Sequence, residues 1–438
     1  MNIALPSDGI PPRSTWTTQR AYIFASVAGV VGLGNIWRFP YMVGQNGGGT
    51  FVAAYLICIL AVGIPLVILE AGSGSLTNRG PVGTFRRINA TWGPWIGWFL
   101  VAMMLGIMSY YFVISGWTLG YAIDAVRGDI KPFDEFTSGF ASVWLYLLVA
   151  VLVLIVILRG ISRIERTSMF LLPVLVVTMV GLAVYSLTLP GAGQALDFYF
   201  SFNLKSFLEP KTWQMAAGQA FYSLSIGQGL IMTYGSYIPK NVSIVSSSVA
   251  VAVTNSAISI TAGLMIFPIV FTFGIAPDTG SQLSFEALPA IFADLSGGRF
   301  IGIAFFLLLF LAAFTSCAGG MMVAFAPVRD EFHLSRTRAA VIVVAAVTLL
   351  AVPSALSFTS VGFMVDGRPF LDVIDTVAGS GVVVAAGITG AALLAWRLPR
   401  GQLLAAMNSS HSPRWALLIG RYLLLGAAGL LMIRWLIA

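Results

Sequence analysis

The sequence is poor in the residue types on which soluble and secreted proteins rely. Only 9% of its 438 residues are charged, whereas soluble domains carry roughly 25%. Its two cysteines, Cys58 and Cys317, lie inside apolar runs, and its two histidines, His333 and His411, lie in polar connections. These scarcities exclude a soluble domain, a disordered chain, a nucleic-acid binder, a disulfide scaffold and a metal centre of cysteine and histidine. No basic and apolar leader with a small-residue cleavage site opens the chain, so we expect no cleaved signal peptide.

Long apolar runs fill the chain instead. Hydrophobic residues make up 58% of it, and its mean hydropathy is +0.90. An apolar helix needs about 20 residues to cross a bilayer, so we predict an all-α polytopic membrane protein with about 11 transmembrane helices. The predicted spans are 21–45, 51–76, 92–125, 140–159, 167–188, 213–237, 243–275, 299–329, 337–357, 370–396 and 415–437. The segments 189–212 and 276–298 are predicted to form loop helices on the membrane surface.

The basic residues predict an orientation in the plasma (inner) membrane. Most of the 24 lysines and arginines fall in connections on the side of the N-terminus, and most acids fall on the opposite side. Because basic loops stay cytoplasmic, we expect a cytoplasmic N-terminus. An odd number of spans then places the C-terminus outside.

Two predicted spans, the first and the sixth, are interrupted by glycine near the middle of the membrane. Residues 28–35 read Ala-Gly-Val-Val-Gly-Leu-Gly-Asn, and residues 223–229 read Ser-Leu-Ser-Ile-Gly-Gln-Gly. Glycine in one membrane helix can simply permit close packing. Interruptions at corresponding positions favour discontinuous helices in an inverted repeat of spans 1–5 and 6–10. A broken helix frees backbone groups, so its ends suit a carboxylate, an ammonium and a cation.

Polar side chains on four spans strengthen this interpretation. Gln219 and Ser223 lie four residues apart on span 6, as Asn255 and Ser259 do on span 7, and each pair shares a helix face. Residues 315–316, Thr-Ser, interrupt the apolar run of span 8. A lone serine or threonine usually bonds back to its own helix. The set as a whole indicates oxygen ligands for a hard monovalent cation.

Ionisable residues inside membrane spans are functional candidates. Arg38 lies one turn beyond the first break, and Asp375 lies near the outer end of span 10. The two could close the site from outside, or they could form a static ion pair. Glu70 in span 2 could accept hydrogen bonds from backbone amides freed by a break.

Several motifs resemble those of the neurotransmitter:sodium symporter family, sodium-coupled transporters of amino acids and biogenic amines. Residues 32–40 (Gly-Leu-Gly-Asn-Ile-Trp-Arg-Phe-Pro) and 46–49 (Asn-Gly-Gly-Gly) resemble its opening motif. Residues 110–111, 115–118, 218–225 and 315–316 match further motifs, so the resemblance covers spans 1–10 in order. It implies a bacterial amino-acid:sodium symporter with the leucine-transporter-type fold, which works by alternating access and needs no organic cofactor.

The resemblance implies two sodium sites. The first would use Val30, Asn35, Ser223 and Asn255, together with the substrate carboxylate. The second would use Ala28, Val31, Ala312, Thr315 and Ser316. All these donors are carbonyl, amide or hydroxyl oxygens, as a hard cation requires.

The resemblance also implies a substrate site, two gates and an anion site. The substrate would contact Val30, Gly32, Gly34, Ile107, Tyr111, Tyr222, Ser223, Ser225, Gln228, Gly319 and Gly320. Arg38 and Asp375 would form the outer gate under Tyr111 and Tyr222, and Arg13 and Asp330 the inner gate with Trp16 and Tyr237. Chloride would bind Tyr55, Gln219, Ser223, Asn255 and Ser259. Because Ser259 stands where many bacterial members carry a carboxylate, we expect a bound chloride.

Three glycines predict the kind of substrate. Amine-transporting members carry an aspartate at the position of Gly32, so this glycine favours a substrate with its own carboxylate. Gly320 stands where leucine-selective relatives carry a bulky aliphatic residue, Gly319 beside it is also small, and Gln228 replaces an aromatic residue of the pocket wall. We therefore expect a large neutral amino acid, hydrophobic or aromatic.

The predicted organisation has five parts: a cytoplasmic segment with inner-gate residues (1–20), a first five-helix repeat (21–188), an extracellular loop (189–212), a second repeat (213–396), and a cytoplasmic loop with helix 11 (397–438). Other classes fit the sequence less well. An enzyme would need a nucleophile–base pair or metal ligands in the spans, and a channel would need a continuous wet pore. A transporter-like sensor or scaffold could keep the whole fold, and a betaine or a small amino acid could be the zwitterion.

Overall fold

The fold was obtained as a computed structural model of the 438-residue chain. The structure describes residues 15–277, 285, 287–294, 297–407 and 414–423. Nearly every element in these ranges is a helix, as the all-α prediction requires.

The described part of the chain contains α-helices, π-helical turns and one short β-hairpin. The helices are α1 (Gln19–Val30), α2 (Phe39–Gln45), α3 (Gly49–Cys58), α4 (Ile64–Thr77), α5 (Pro81–Ile88), α6 (Gly93–Arg127), α7 (Phe133–Ser138), α8 (Ala141–Leu158), α9 (Ile161–Ser186), α10 (Ala192–Phe200), α11 (Leu204–Leu208), α12 (Pro210–Ser223), α13 (Leu230–Gly235), α14 (Ile244–Thr272), α15 (Ala287–Asp294), α16 (Gly298–Glu331), α17 (Arg336–Leu356), α18 (Phe370–Ile374), α19 (Val383–Arg397), α20 (Arg400–Ala406) and α21 (Arg414–Leu418). Wider π-helical turns occupy Gly34–Arg38, Ile59–Gly63, Asp375–Val382 and Ile419–Leu423. Strands β1 (Met364–Val365) and β2 (Arg368–Pro369) form an antiparallel hairpin.

Local sequence explains where several helices begin. The Thr18 hydroxyl accepts a hydrogen bond from the Ala21 N–H at 3.1 Å and so caps α1. Ser243 and Ser335 cap α14 and α17 in the same way. These hydroxyls satisfy amides that a helix leaves without a partner at its start.

The two longest helices, α6 and α16, pack against each other at the centre of the molecule. The Ser115 hydroxyl of α6 lies 3.3 Å from the Cys317 sulfur of α16, and both side chains are buried. By contrast, α8 and α9 expose large apolar side chains, among them Leu148, Val151 and Val177. A soluble protein would bury such a surface, whereas a bilayer covers it.

The first predicted span is discontinuous, as the glycine pattern indicates. Helix α1 ends at Val30, Val31 adopts an extended conformation, and helical structure resumes at Gly34. The halves Gln19–Val30 and Gly34–Gln45 meet at an angle of 59°. The break lies where residues 28–35 place their three glycines.

The sixth predicted span is also divided, into α12 and α13. Between them Ser225, Gly227 and Gly229 all have positive φ values, of 53°, 77° and 76°. An added Cβ at Gly227 would lie 2.4 Å from the backbone of Gly387. Glycine is therefore required at 227 both for the positive φ and for this close approach. The Gly227 N–H donates a 2.7 Å hydrogen bond to Glu70, which confirms the predicted partner for a freed amide.

Within the described residues, eight helices are long and apolar enough to cross a membrane, and the bent first pair makes a ninth candidate. Helices α12 and α13 are individually short, and the eleventh predicted span continues beyond the described residues. The total of about 11 spans and the five-part division therefore stay predictions.

Candidate functional site

The break in the first span redirects two backbone N–H groups and frees carbonyl oxygens. In a continuous helix the Gly32 N–H would bond to the carbonyl of Ala28, but here it donates to Asn35 Oδ1 at 3.2 Å. The Leu33 N–H likewise leaves the helix and donates to the Tyr111 hydroxyl at 2.8 Å. Carbonyl oxygens at the end of α1 thus become available as ligands, at the negative end of the helix dipole.

The glycines of the break are required by close approach. An added Cβ at Gly32 would lie 2.4 Å from the Tyr111 hydroxyl and 2.6 Å from the Ser316 hydroxyl. One at Gly34 would lie 2.5 Å from the ring of Tyr222. The backbone of the break therefore faces two tyrosines and one serine with no side chain between them.

A first cluster of oxygens surrounds the side chain of Asn35. Its Nδ2 donates towards Ser259 Oγ at 2.8 Å, Ser223 Oγ and Asn255 Oδ1 at 2.9 Å each, and the Asn255 carbonyl at 3.4 Å. All four residues are buried. An amide nitrogen has only two hydrogens for these four acceptors. The excess of buried oxygen suits a cation, provided that the Asn35 amide turns its own oxygen inward.

A second cluster lies between α1 and α16. The Ser316 hydroxyl donates a 2.9 Å hydrogen bond to the Val31 carbonyl. The Thr315 hydroxyl bonds to the carbonyls of Leu311 and Ala312, at 2.9 and 3.1 Å. Thr315 thus bonds back to its own helix, as a lone threonine usually does, whereas Ser316 reaches across to the break.

Both clusters contain the donors that a sodium ion requires. The described residues hold no group of three or more histidine, cysteine or acidic side chains that could bind a metal. The clusters offer carbonyl, amide and hydroxyl oxygens, which prefer hard cations. This chemistry fits the two sets predicted from the sequence.

The predicted anion site is only partly assembled. The Tyr55 hydroxyl lies 3.2 Å from Ser223 Oγ, within the first oxygen cluster. Gln219, however, donates to the Gly34 carbonyl at 2.9 Å and accepts from Arg38 at 3.1 Å. Gln219 therefore holds the break and Arg38 rather than Tyr55.

A small cavity of about 30 Å³ lies beside the first break. It is lined by Gly29, Val30, Gly34, Met104, Ile107, Met108, Tyr111, Tyr222, Ser225, Gln228, Leu230, Ser316 and Gly320. Eight of the thirteen lining residues are predicted substrate contacts and Ser316 is a predicted sodium ligand, whereas sequence reasoning missed Gly29, Met104, Met108 and Leu230. The spacing of 104, 107, 108 and 111 on one helix face could have indicated the two methionines.

Three predicted substrate contacts lie outside this lining. Gly32 and Ser223 stand just behind it, in the break and in the first oxygen cluster. An added Cβ at Gly319 would lie 3.1 Å from the Gly29 Cα and 3.0 Å from the Tyr234 hydroxyl. Gly319 thus lets α16 approach α1 and α13, and the structure gives it a packing role rather than a place in the wall.

The predicted outer-gate residues are close together but not joined. The Arg38 guanidinium lies 4.5 Å from the centre of the Tyr222 ring and bonds to Gln219. Asp375 Oδ1 instead lies near the Tyr110 hydroxyl. A Cβ added at Gly379 would lie 2.6 Å from Asp375 Oδ1 and 2.5 Å from the Tyr110 hydroxyl. No ion pair joins Arg38 and Asp375 in the described part of the chain, because each side chain has these other neighbours. Their pairing stays a prediction.

Three of the four predicted inner-gate residues lie within the described part of the chain. Arg13 lies outside the described residues. Its predicted partner Asp330 lies 3.7 Å from Arg79, which sequence reasoning missed. The Trp16 ring nitrogen donates to the Tyr234 carbonyl, and the Trp16 N–H donates to the Tyr237 carbonyl, each at 3.0 Å. The segment before α1 is thus held against the end of the sixth span.

Known proteins are similar to this chain in sequence and in architecture. An uncharacterized sodium-dependent transporter of Haemophilus influenzae is 30% identical over 393 residues, covering 84% of this chain and 86% of that protein. One of Bacillus subtilis is 29% identical over 414 residues and covers 91% of each chain. The crystal structure of MhsT in complex with L-phenylalanine matches with a TM-score of 0.86 and 34% identity, covering 94% of this chain and 97% of MhsT.

A family model gives the assignment. Residues 13–138 and 128–436 match the model of the sodium:neurotransmitter symporter family, so the match runs through nearly the whole chain. Members of this family are multi-pass membrane transporters that depend on sodium, not enzymes. The broken first helix, the two oxygen clusters and these matches agree, and the chain belongs to the sodium:neurotransmitter symporter family.

Proposed function

We propose that this symporter imports a large neutral amino acid, hydrophobic or aromatic, together with two sodium ions and with chloride bound. The observation that carries the proposal is the break at Gly32, where the Tyr111 hydroxyl and the backbone amides of the break meet in a buried space. Such a space accepts a carboxylate, because amides and hydroxyls donate to it at the start of a half-helix.

The lining of the cavity favours an amino acid over an amine. None of its residues is acidic or basic, and an ammonium group could be held only by carbonyls and hydroxyls such as those of Val30 and Ser225. An amine without a carboxylate would leave the Tyr111 hydroxyl and the break amides without an anion. A zwitterion satisfies both halves of the site.

The rest of the lining favours a large apolar side chain. Met104, Ile107, Met108 and Leu230 form an apolar wall, and Gln228 adds one polar group. MhsT, which resembles this chain over nearly its whole length, binds L-phenylalanine. A similar substrate fits the wall here.

Sodium coupling follows from shared ligands. In this proposal the first ion binds Val30, Asn35, Ser223 and Asn255 and also touches the substrate carboxylate. The second binds Ala28, Val31, Ala312, Thr315 and Ser316, and so joins α1 to α16. Because the substrate carboxylate would itself be a ligand of the first ion, each raises the affinity for the other.

Chloride would balance the charge of the first site. Tyr55, Ser223, Asn255 and Ser259 supply hydroxyl and amide donors without an acid among them. Gln219 donates one of its two amide hydrogens to Gly34, which leaves the second for the anion. An anion about 5 Å from the first sodium gains roughly 3 kcal/mol at an effective dielectric of about 20.

Uptake into proteoliposomes tests this proposal. With an inward sodium gradient, we expect accumulation of phenylalanine and competition by other large neutral amino acids. Phenethylamine, which lacks the carboxylate, should compete poorly, and glycine and betaine should compete less well than phenylalanine. Accumulation of phenethylamine equal to that of phenylalanine would contradict the carboxylate site. Sodium-dependent binding without uptake would favour a sensor or scaffold.

A further inference from the structure

Two methionines of α6 press against a glycine of α16. An added Cβ at Gly320 would lie 2.6 Å from the Met108 sulfur, 2.9 Å from its methyl carbon and 3.1 Å from the Met104 sulfur. Both methionines are buried, and both line the cavity beside the first break. The space that Gly320 leaves open is therefore filled by two thioethers.

The cavity has to grow before it can hold any large amino acid. Its volume of about 30 Å³ has room for about two water molecules, since a cavity needs roughly 10–15 Å³ to hold one. Some lining side chain must therefore move on binding.

The two tyrosines of the lining are held in place by hydrogen bonds or close contacts. The Tyr111 hydroxyl accepts from the Leu33 N–H at 2.8 Å. Tyr222 lies between the Arg38 guanidinium and the backbone of Gly34. Met104 and Met108 have no such ties, and unbranched methionine side chains have three rotatable bonds. The methionines are the part of the wall that can yield.

We propose that Met104 and Met108 form a movable thioether wall that fills the side-chain subsite next to Gly320 and withdraws around the substrate side chain. The inference rests on the proposed function and deepens it. The wall makes the subsite selective for flat aromatic or flexible thioether side chains over branched aliphatic ones of similar size.

The selectivity follows from the chemistry of sulfur. A thioether makes favourable contacts with an aromatic ring edge, which a leucine side chain in the substrate does not offer. Gly320 supplies the space in which the two side chains rearrange. A methyl group there would displace the flexible end of Met108 towards the subsite and leave less room for the substrate side chain.

Conservative substitution of the methionines tests the wall. Met108→Leu and Met104→Leu keep the wall apolar but remove the sulfur and add a branch. We expect each to lower the ratio of kcat/KM for phenylalanine to kcat/KM for leucine by about threefold or more. Met103→Leu is the matched control, because Met103 is buried on the same helix but does not line the cavity. It should leave the ratio unchanged.

A double-mutant cycle tests the contact with Gly320. Gly320→Ala alone should lower phenylalanine uptake, because its methyl group displaces the flexible end of Met108 into the cavity that the substrate side chain would occupy. In the Met108→Ala background the same change should have a much smaller effect, since the colliding sulfur is gone. Such non-additivity measures direct coupling between the two positions. Sodium-dependent thermal stabilisation in detergent establishes that each variant folds. If a Met108 variant does not fold, the substrate preference of Met104→Leu tests the wall instead.

The outcomes separate the wall from the proposed function. The wall alone would be overturned by three results together. The unmodified protein would take up phenylalanine normally, the effects in the double-mutant cycle would be additive, and both methionine variants would have the same ratio of kcat/KM values as Met103→Leu. Failure of the unmodified protein to bind or transport any large neutral amino acid would overturn the proposed function, and the wall with it.

Discussion

The Ser316 hydroxyl donates a 2.9 Å hydrogen bond to the carbonyl of Val31, across the boundary between α16 and the broken first span. Val31 is the residue at which α1 stops, and its extended backbone turns this carbonyl out of the helix. The contact is long-range, since the two residues are 285 positions apart. A sodium ion held by these oxygens would join the two helices.

Ser316→Ala should weaken sodium binding. The variant loses one oxygen of the second site, and interactions of a hydrogen-bond donor or acceptor with a charge contribute about 1.5–3 kcal/mol. We expect the sodium concentration for half-maximal uptake to rise about tenfold or more. Ser186→Ala is the matched control, because its buried hydroxyl bonds to the Met265 carbonyl at 2.7 Å, away from both oxygen clusters. An equal sodium response in the two variants would contradict the second site.

Ser259→Glu should abolish chloride dependence. The introduced carboxylate would supply, next to the first sodium site, the charge that we propose comes from chloride. Uptake by the unmodified protein should fall when gluconate replaces chloride at constant sodium, and uptake by Ser259→Glu should not. Ser259→Ala is the control, since it removes the hydroxyl without adding charge and should not restore uptake in gluconate. Equal uptake by the unmodified protein in both media would refute the chloride site.

Glu70→Leu should destabilise the break in the sixth span. It leaves the Gly227 N–H without its 2.7 Å acceptor in a buried position, at a cost of about 1–3 kcal/mol. We expect the thermal midpoint to fall by several degrees and uptake to drop steeply. Glu70→Gln keeps an oxygen at the same place and should retain most of both. A Glu70→Leu protein as stable and active as Glu70→Gln would show that this hydrogen bond does not hold the break.

Asp375→Ala should impair uptake more than sodium-dependent substrate binding. In the structure Asp375 lies beside Tyr110 and Arg38 bonds to Gln219 instead of to Asp375, so the predicted role of Asp375 begins when the outer gate closes. Binding in detergent and uptake in proteoliposomes measure the two steps separately. Asp372→Ala, one turn away, is the control. Uptake by Asp375→Ala equal to that of the control would leave only a static role for this residue.

The sequence was most informative where a local pattern sets the backbone. The glycines at 29, 32 and 34 mark the break in the first span, because the break needs backbone with no side chain between it and Tyr111 or Tyr222. Glu70 could be foreseen as an acceptor because a carboxylate inside a membrane span needs a partner. These predictions depend on one residue and its immediate needs.

Some contacts between distant helices could not be predicted from the sequence. The bond of Gln219 to Gly34, and of Arg38 to Gln219 rather than to Asp375, depends on how three helices pack. The filling of the Gly320 space by Met104 and Met108 also depends on the packing of α6 against α16. A glycine in a motif shows that a side chain is absent, but only the packed structure shows what occupies the space.

Uphill uptake of phenylalanine into sealed proteoliposomes tests the central claim most directly. With sodium outside and potassium inside, the internal concentration of phenylalanine should rise above the external one, and a sodium ionophore should collapse the gradient. Choline in place of sodium should abolish accumulation. Phenylalanine that equilibrates at the same rate with sodium or choline, and never exceeds its external concentration, would contradict sodium-coupled amino-acid transport by this chain.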